Sequence, residues 1–263
     1  MNIQIKKAIK AGNSSAVILP RAWLNKDVRV ELIKKTPEII LSDVFSIINK
    51  YVELKEIIGI YLVGSYARGE EDENSDIDVL VLTNNTDKEV IREGVYSILI
   101  MSSELLRQKL KRDLFPVGQM IREAQPLLNS NYLSSIEVNI TKKNIRWYLE
   151  TTEDKVKIIG EIIGKMKKNN KKHISDRIAY TLVLRIRTLY IIEKLIKNKD
   201  YSKKDFIRII RDISGGTNAY ERYLAVKDNL KKKNGISLQE TERLYSYLKD
   251  KLVEIKKLSN KLK

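Results

Sequence analysis

Two aspartates, Asp76 and Asp78, stand at the start of an apolar run of Val and Leu. Residues i and i+2 of a β-strand point to the same face, about 6.5 Å apart along it, so these two carboxylates are expected side by side. Two carboxylates that close repel each other unless a cation lies between them. Oxygen ligands favour Mg²⁺, which usually takes one or two carboxylates together with water and substrate phosphates. The pair therefore predicts a magnesium site.

A glycine-serine pair, Gly64 and Ser65, ends the preceding apolar run, and ten residues separate it from Asp76. Glycine lets the backbone approach a ligand closely, and N–H groups beside a hydroxyl can bind phosphate oxygens. Together with the aspartates, this turn predicts a site for a nucleoside triphosphate with Mg²⁺, arranged for in-line attack on phosphorus. The acidic run EEDEN at 70–74 is interpreted as solvated surface.

Alternating helices and strands are expected to position these residues. The apolar spacing predicts a helix that starts from an N-cap at Ser42 and stops at Gly59. The runs IYLVGS, DIDVLVLT and VYSILIMS predict three strands covered on both faces, and SSELLRQKLKRD predicts a helix. Residues 43–140 are therefore predicted to form a small α/β domain with a mixed sheet.

Two further segments flank this domain, and the whole chain is predicted to be a multidomain α+β protein. Residues 1–42 contain two short strands around the turn Gly12-Asn13 and a third strand over DVRVELI. So short a segment buries little surface alone and needs the rest of the chain or a second copy of itself. Residues 141–263 are predicted to form a bundle of four or five helices, with breaks at SGGT and KKKNG and a capping box that begins at Ser237.

The charge of the chain is unevenly distributed. The formal net charge is +16, made up of +5 over residues 1–42, −6 over 43–140 and +17 over 141–263. Basic flanks around an acidic middle indicate separate modules, and the flanks are suited to RNA, DNA or an acidic protein. The absence of cysteine, of a signal-peptide pattern and of any apolar stretch of about 18 residues predicts a cytoplasmic protein that does not enter a membrane.

The motif GSYARG…SDIDVLV resembles the signature of the DNA polymerase β nucleotidyltransferase superfamily, in particular its small, minimal branch. The resemblance covers the predicted α/β domain. It implies transfer of a nucleoside monophosphate from a triphosphate, taken to be ATP, with release of pyrophosphate. It also implies that Asp76 and Asp78 are the catalytic residues that bind Mg²⁺. Gly64 and Ser65 would hold the β- and γ-phosphates, and Arg68 would be a further phosphate contact.

One feature of that superfamily is missing from this sequence. Its members usually carry a third carboxylate on the next strand, which helps to hold the catalytic metal. Here that strand reads GVYSILIMS and contains no Asp or Glu, although Glu93 and Glu104 flank it. Nucleotide binding depends less on this carboxylate than transfer does. Two hypotheses therefore stay open, an active enzyme and a nucleotide sensor.

The segment AIKAGNSSAVILPRAWLNKDVRVELI resembles the swapped-hairpin, AbrB-like DNA-binding modules, in which two chains interlace their hairpins into one barrel. The resemblance implies a homodimer. Its DNA-phosphate contacts would be the basic residues Lys6, Lys7, Lys10 and Arg21, and such binding weakens with salt. The alternative is that this segment packs as an ornament on the α/β domain.

The C-terminal helices loosely resemble the HEPN-type bundles that accompany minimal nucleotidyltransferases. The arginine-histidine pattern of a ribonuclease site is absent, because positions 166–168 before His173 are Met, Lys and Lys. His173 is interpreted as an exposed loop or cap residue. Three arginines of one predicted helix either contact a nucleic acid or line the cleft against the triphosphate: Arg177, Arg185 and Arg187.

Three functional hypotheses follow. The first is a Mg²⁺-dependent nucleotidyltransferase that acts on a hydroxyl of a protein, an RNA or a small molecule. The second is a dimeric DNA-binding regulator or antitoxin-like protein whose nucleotidyltransferase domain only senses nucleotide or docks a partner. The third is an antibiotic-modifying enzyme, since such enzymes also join this domain to a helical bundle.

Overall fold

The computed structural model of the protein describes residues 4–6, 8–31, 36–72, 75–230 and 235–262. The chain divides into two compact units. The first, called the sheet unit, consists of Met1–Lys109 and Pro116–Val138. The second, called the helical unit, consists of Leu110–Phe115 and Asn139–Lys263.

The sheet unit is built around one mixed sheet of five strands. Along the chain, the elements from the N-terminus to residue 135 are β1 (Ile9–Ala11), β2 (Ser14–Ala16), α1 (Pro37–Ile48), β3 (Ile57–Val63), α2 (Gly64–Ala67), β4 (Ile77–Thr83), β5 (Lys88–Glu93), β6 (Tyr96–Ser102), α3 (Ser103–Arg112), α4 (Val117–Glu123), β7 (Gln125–Leu128) and α5 (Ser130–Ser135). The order in the sheet is β5-β6-β4-β3-β7. Only β4 and β6 run parallel, and the other neighbours are antiparallel.

The predicted strands at the centre of the sheet are confirmed as β3, β4 and β6. Their apolar side chains are almost entirely buried, as expected for strands covered on both faces. On one face, the cross-strand neighbours Leu62, Val79 and Ile98 belong to a single core cluster that also contains Val44 and Ile47 of α1. The fold class, a mixed α+β chain with a hairpin, a central mixed sheet and C-terminal helices, is confirmed.

The predicted helix from Ser42 to Gly59 is wrong at both ends. The helix α1 starts at Pro37, where proline suits the first helical position, and Thr36 caps it by accepting a hydrogen bond from the Ile39 N–H. It ends at Ile48, and Gly59 instead lies in β3. A side chain at Gly59 would overlap the ring of Tyr61, which is two residues further along the same strand. The strands β5 and β7 were not predicted.

The N-terminal hairpin forms, but the rest of the swapped-hairpin prediction is not confirmed. The strands β1 and β2 pair around Gly12-Asn13, with Gly12 at φ +60°. Residues 27–31 form no strand, and Leu32 and Ile33, the rest of the expected third strand, lie outside the described residues. Ile5 is only 6% exposed and belongs to the core cluster of the sheet unit. This contact favours the alternative in which the segment packs on the α/β domain.

The helical unit contains five long helices in its described part. They and two short strands are α6 (Lys142–Lys168), β8 (His173–Ile174), α7 (Asp176–Ile196), α8 (Lys203–Ser214), α9 (Asn218–Lys227), β9 (Ile236–Ser237) and α10 (Leu238–Ser259). The predicted break at SGGT is the left-handed C-cap Gly215. Ser237 caps α10 by accepting a hydrogen bond from the Glu240 N–H, which confirms one half of the predicted capping box. The Glu240 carboxylate accepts from the Ser237 hydroxyl at 3.0 Å. In the described part of the chain, no helix has the length and apolar character needed to cross a membrane.

Candidate active site

The structure brings Gly64 and Asp78 into direct contact. Val63, the last residue of β3, pairs with Asp78 on the antiparallel strand β4. Gly64 therefore follows at the end of β3, next to the Asp78 side chain, with φ +71°. A Cβ atom on Gly64 would overlap Oδ2 of Asp78 and lie 3.1 Å from its Cβ. Glycine is required here both by the left-handed backbone and by the carboxylate that fills the space of a side chain.

Ser65 is the second residue of the short helix α2 and is half-buried. Backbone N–H groups in the first turn of a helix have no acceptor within that helix. Ser65 directly follows Gly64. Its N–H and its hydroxyl are chemically suited to donate hydrogen bonds to phosphate oxygens.

The two aspartates differ in their exposure to solvent. Asp78 lies in β4 and is half-buried, whereas Asp76 lies one residue before the strand and is exposed. The pairing of β4 with β6 begins directly after Asp76, where the Ile77 N–H donates to the Val95 carbonyl at 2.7 Å. The backbone that carries both aspartates is thereby fixed at the edge of the hydrogen-bonded region.

The residue next to Asp78 on β6 is Ser97, which is its partner in the parallel register. Glu93 is one strand further away on β5 and forms an ion pair with Lys50 at 3.0 Å. Glu104 lies in α3, where it forms an exposed ion pair with Arg107. Among the described residues, no group of three or more His, Cys, Asp or Glu side chains is arranged to hold a metal ion.

Glu123, at the end of α4, is a residue of the site that the sequence did not reveal. Its Oε1 accepts a hydrogen bond of 2.8 Å from the Gly64 N–H, 59 residues earlier in the chain. Its Oε2 accepts hydrogen bonds from Arg68 Nη1 at 2.6 Å and from Gln119 Nε2 at 2.8 Å. Glu123 belongs to no motif, so no signal in the sequence could have identified it.

Arg68 lies between two carboxylates. Its Nε donates to Glu70 at 3.0 Å and its Nη1 to Glu123, and the three side chains are 14%, 9% and 8% exposed. Burial lowers the pKa of the Arg68 guanidinium, but the charges and hydrogen bonds of Glu123 and Glu70 outweigh burial, so its pKa lies above its ordinary value. The run EEDEN at 70–74 was predicted to be solvated surface, but the Glu70 side chain is only 9% exposed. Glu71 and Asp72 are exposed, whereas positions 73–74 lie outside the described residues.

The arginines singled out in the C-terminal segment have three different environments within the helical unit. Arg177 is exposed on α7. Arg185 donates to the Thr151 hydroxyl at 3.0 Å, and burial lowers the pKa of its guanidinium. Arg187 donates to the hydroxyls of two tyrosines, Tyr201 and Tyr223. His173 is exposed on β8, where it pairs with Ser237.

Comparison with known proteins places the site within a described family. The family model of the nucleotidyltransferase domain matches residues 45–208, which include Gly64, Ser65, Asp76 and Asp78. A solved structure of a nucleotidyltransferase-like protein from Exiguobacterium sibiricum 255-15 is 14% identical, with a TM-score of 0.39. That alignment covers 84% of this chain and 77% of the other. Among curated proteins, none has significant sequence similarity to this chain.

Proposed function

The chain belongs to the nucleotidyltransferase domain family, and from this premise we propose that it transfers a nucleoside monophosphate from ATP to a hydroxyl acceptor. The observation that carries the proposal is the contact between Gly64 and the Asp78 carboxylate. It joins the phosphate-binding turn to one of the two proposed metal ligands, and no side chain larger than hydrogen fits between them.

The residues present fit a magnesium ion. Asp76 and Asp78 supply two carboxylates and no nitrogen or sulfur ligand, and Mg²⁺ takes one or two carboxylates together with phosphate oxygens and water. When bound, Mg²⁺ offsets the negative charge of the triphosphate and orients it. In this proposal Asp76 and Asp78 hold the ion, and Ser65 donates hydrogen bonds to the β- and γ-phosphates.

The reaction is a displacement at the α-phosphorus. The acceptor hydroxyl oxygen forms a new bond to the α-phosphorus, and the bond from that phosphorus to the oxygen bridging to the β-phosphorus breaks. Pyrophosphate leaves with the bonding electrons, and the hydroxyl proton passes to water. In this proposal none of the described residues is given the role of a third carboxylate, and Ser97 occupies the position next to Asp78 on β6. The acceptor is a protein, an RNA or a small molecule such as an antibiotic.

The test is transfer of label from each α-³²P-labelled nucleoside triphosphate to components of a cell lysate, with Mg²⁺ or Mn²⁺ present. Asp78→Asn removes one metal ligand with almost no change in shape, and it should lower the labelling rate by at least about 100-fold. Glu71→Gln is the matched control, because it neutralises an exposed carboxylate in the same loop. Undiminished labelling by Asp78→Asn would rule out the proposed site.

A second candidate function is suggested by the N-terminal segment. Three of its large apolar side chains are strongly exposed: Ile18 at 69%, Leu24 at 73% and Val30 at 69%. A second copy that covered the segment would bury these side chains. In this proposal the chain forms a homodimer, and the exposed basic residues Lys6, Lys10 and Arg21 contact DNA phosphates. Lys7, the fourth predicted contact, lies outside the described residues.

Replacement of Lys6, Lys10 and Arg21 by alanine tests this second candidate, because all three side chains are exposed. A gel-shift experiment with the DNA upstream of the protein's own gene should show a complex at low salt that disappears with these substitutions. The complex should also weaken steeply as salt is raised, since contacts to phosphates release counterions. Absence of any complex at low salt would remove the candidate.

A further inference from the structure

The carboxylate of Glu123 accepts hydrogen bonds from three donors of the sheet unit. Its two oxygens accept hydrogen bonds from the Gly64 N–H, the Arg68 guanidinium and the Gln119 amide, at 2.8, 2.6 and 2.8 Å. The Glu123 side chain is only 8% exposed. A carboxylate at such low exposure is tolerated when it is paired and hydrogen-bonded. Gln119 lies one helical turn before Glu123 on α4, so the helix itself directs the carboxylate.

The bond from the Gly64 N–H fixes the turn at the point where β3 ends. It holds the peptide plane between Val63 and Gly64, while the left-handed conformation of Gly64 sets the direction of the next N–H, that of Ser65. Because Gly64 donates its proton to Glu123, its N–H is not a donor for phosphate. The donors that the turn offers to phosphate then include the N–H and the hydroxyl of Ser65.

We propose that Glu123 is a positioning residue for the triphosphate, which holds the Gly64 turn so that Ser65 binds the phosphates. The inference rests on the proposed function. In this arrangement the role of Glu123 is to hold the turn, since its two oxygens accept from three donors of the sheet unit.

Arg68 acts through Glu123 in this arrangement. Its guanidinium forms ion pairs with two carboxylates that are each less than one-tenth exposed, Glu70 and Glu123. Arg68 lies on the chain directly after α2. The same contacts account for the presence of an arginine four residues after Gly64, which the sequence assigned to phosphate binding. Arg68 is thus a second positioning residue, and the phosphate contact belongs to Ser65.

The first experiment needs no nucleotide. Amide hydrogen exchange of the full chain is measured by NMR or mass spectrometry for the wild type and for Glu123→Ala. Loss of the acceptor should accelerate exchange at Gly64 by at least about tenfold, since hydrogen-bonded amides exchange only when the bond opens. Glu123→Gln keeps a carbonyl oxygen that can accept from Gly64 and should retain part of the protection. The control is Glu104→Ala, an exposed glutamate on α3.

The second experiment separates phosphate positioning from general damage. The affinity of each variant for ATP and for AMP is measured by calorimetry with Mg²⁺ present. Glu123→Ala should weaken ATP binding about tenfold and AMP binding less than about twofold, because AMP lacks the β- and γ-phosphates. Gln119→Leu removes one of the three hydrogen bonds and should weaken ATP binding about threefold, which keeps the test available if Glu123→Ala does not fold.

Two results would overturn the inference. One is exchange at Gly64 in Glu123→Ala at the wild-type rate. The other is a loss of ATP and AMP affinity by the same factor, which indicates a structural role only. Failure of the wild type to bind ATP overturns the proposed function, and the phosphate role with it. In that case the exchange rates still decide whether Glu123 holds the turn.

Discussion

At the scale of single residues, the candidate site depends on the absence of a side chain at Gly64. The Asp78 carboxylate occupies the position of the missing side chain, and Glu123 holds the N–H of the same glycine. One residue without a Cβ atom thus lies against a proposed metal ligand on one side and a buried carboxylate on the other. A change in the conformation of this turn would therefore displace the Asp78 side chain.

Gly64→Ala should therefore abolish transfer. The new Cβ atom would displace the Asp78 carboxylate, and the left-handed backbone at φ +71° would be strained by about 1–2 kcal/mol. We expect the labelling rate to fall by at least about 100-fold, as measured by the radioactive transfer assay.

The matched control for this change is Gly69→Ala. Gly69 also has a positive φ, of +62°, but a Cβ atom there would have no neighbour within 4 Å. It carries the same backbone strain without touching the site, so it should keep most of the transfer activity. Equal activity of the two variants would show that the contact between Gly64 and Asp78 is not needed.

At the scale of elements, the N-terminal segment contacts the turn between β5 and β6 through Ile5. Gly94 lies in that turn with φ +62°, and a Cβ atom on it would lie 2.6 Å from the carbonyl oxygen of Ile5. Ile5 belongs to the same core cluster as Ile77, the residue between the two aspartates. The N-terminal segment therefore contributes a side chain to the core cluster of the sheet unit.

Gly94→Ala should displace Ile5 of the N-terminal segment from the turn between β5 and β6. Left-handed strain costs about 1–2 kcal/mol, and overpacking against Ile5 adds about 1–3 kcal/mol, so urea denaturation should show a clearly lower free energy of unfolding. Gly12→Ala is the control, since Gly12 has φ +60° and no neighbour within 4 Å of its added Cβ. The prediction is wrong if both variants lose the same stability.

In the helical unit, Asn144 joins the start of α6 to the segment Leu110–Phe115. Its side-chain oxygen accepts a hydrogen bond from the Thr141 N–H, and its amide donates to the carbonyls of Leu110 and Asn139. Asn144 is only 2% exposed. An N-cap network of this kind satisfies backbone groups that would otherwise be buried without partners.

Asn144→Ala should lower the free energy of unfolding by about 2–3 kcal/mol, because it removes the donor from the buried Leu110 carbonyl. The measurement is thermal or urea unfolding monitored by circular dichroism at the helical signal. Asn169→Ala, at the exposed C-terminal end of the same helix, should change stability by less than about 0.5 kcal/mol. A comparable loss in both variants would argue against the network.

At the scale of the whole molecule, the proposed homodimer depends on the apolar side chains that the N-terminal segment exposes. Sedimentation should show a dimer at micromolar concentration, and Leu24→Ser should weaken the association at least about tenfold. Leu54→Ser is the control, because Leu54 is also strongly exposed, at 62%, but lies outside that segment. A wild-type chain that stays monomeric up to high concentration would contradict the proposal.

The strands at the centre of the sheet were predictable because their signal is local. Near-continuous apolar runs identified β3, β4 and β6, and the Gly-Ser and Asp-x-Asp motifs lie at their ends. The edge strand β5, with the sequence KEVIRE, is mostly exposed and has no such signal. The start of α1 differs from the predicted N-cap at Ser42 because Thr36 and Pro37 begin the helix six residues earlier. Those two residues fix the first turn more strongly than Ser42, which lies inside the helix.

The sequence by itself determined the family of this protein, through a stretch that contains a glycine turn and two aspartates at a fixed spacing. These features lie within one short stretch of chain, so they can be recognised without knowledge of the fold. Only the tertiary structure decided that Glu123 holds Gly64 and that Arg68 pairs with two carboxylates. Contacts between distant residues depend on where α4 packs. No local pattern encodes that position, since it results from burial of apolar surface across the whole sheet unit.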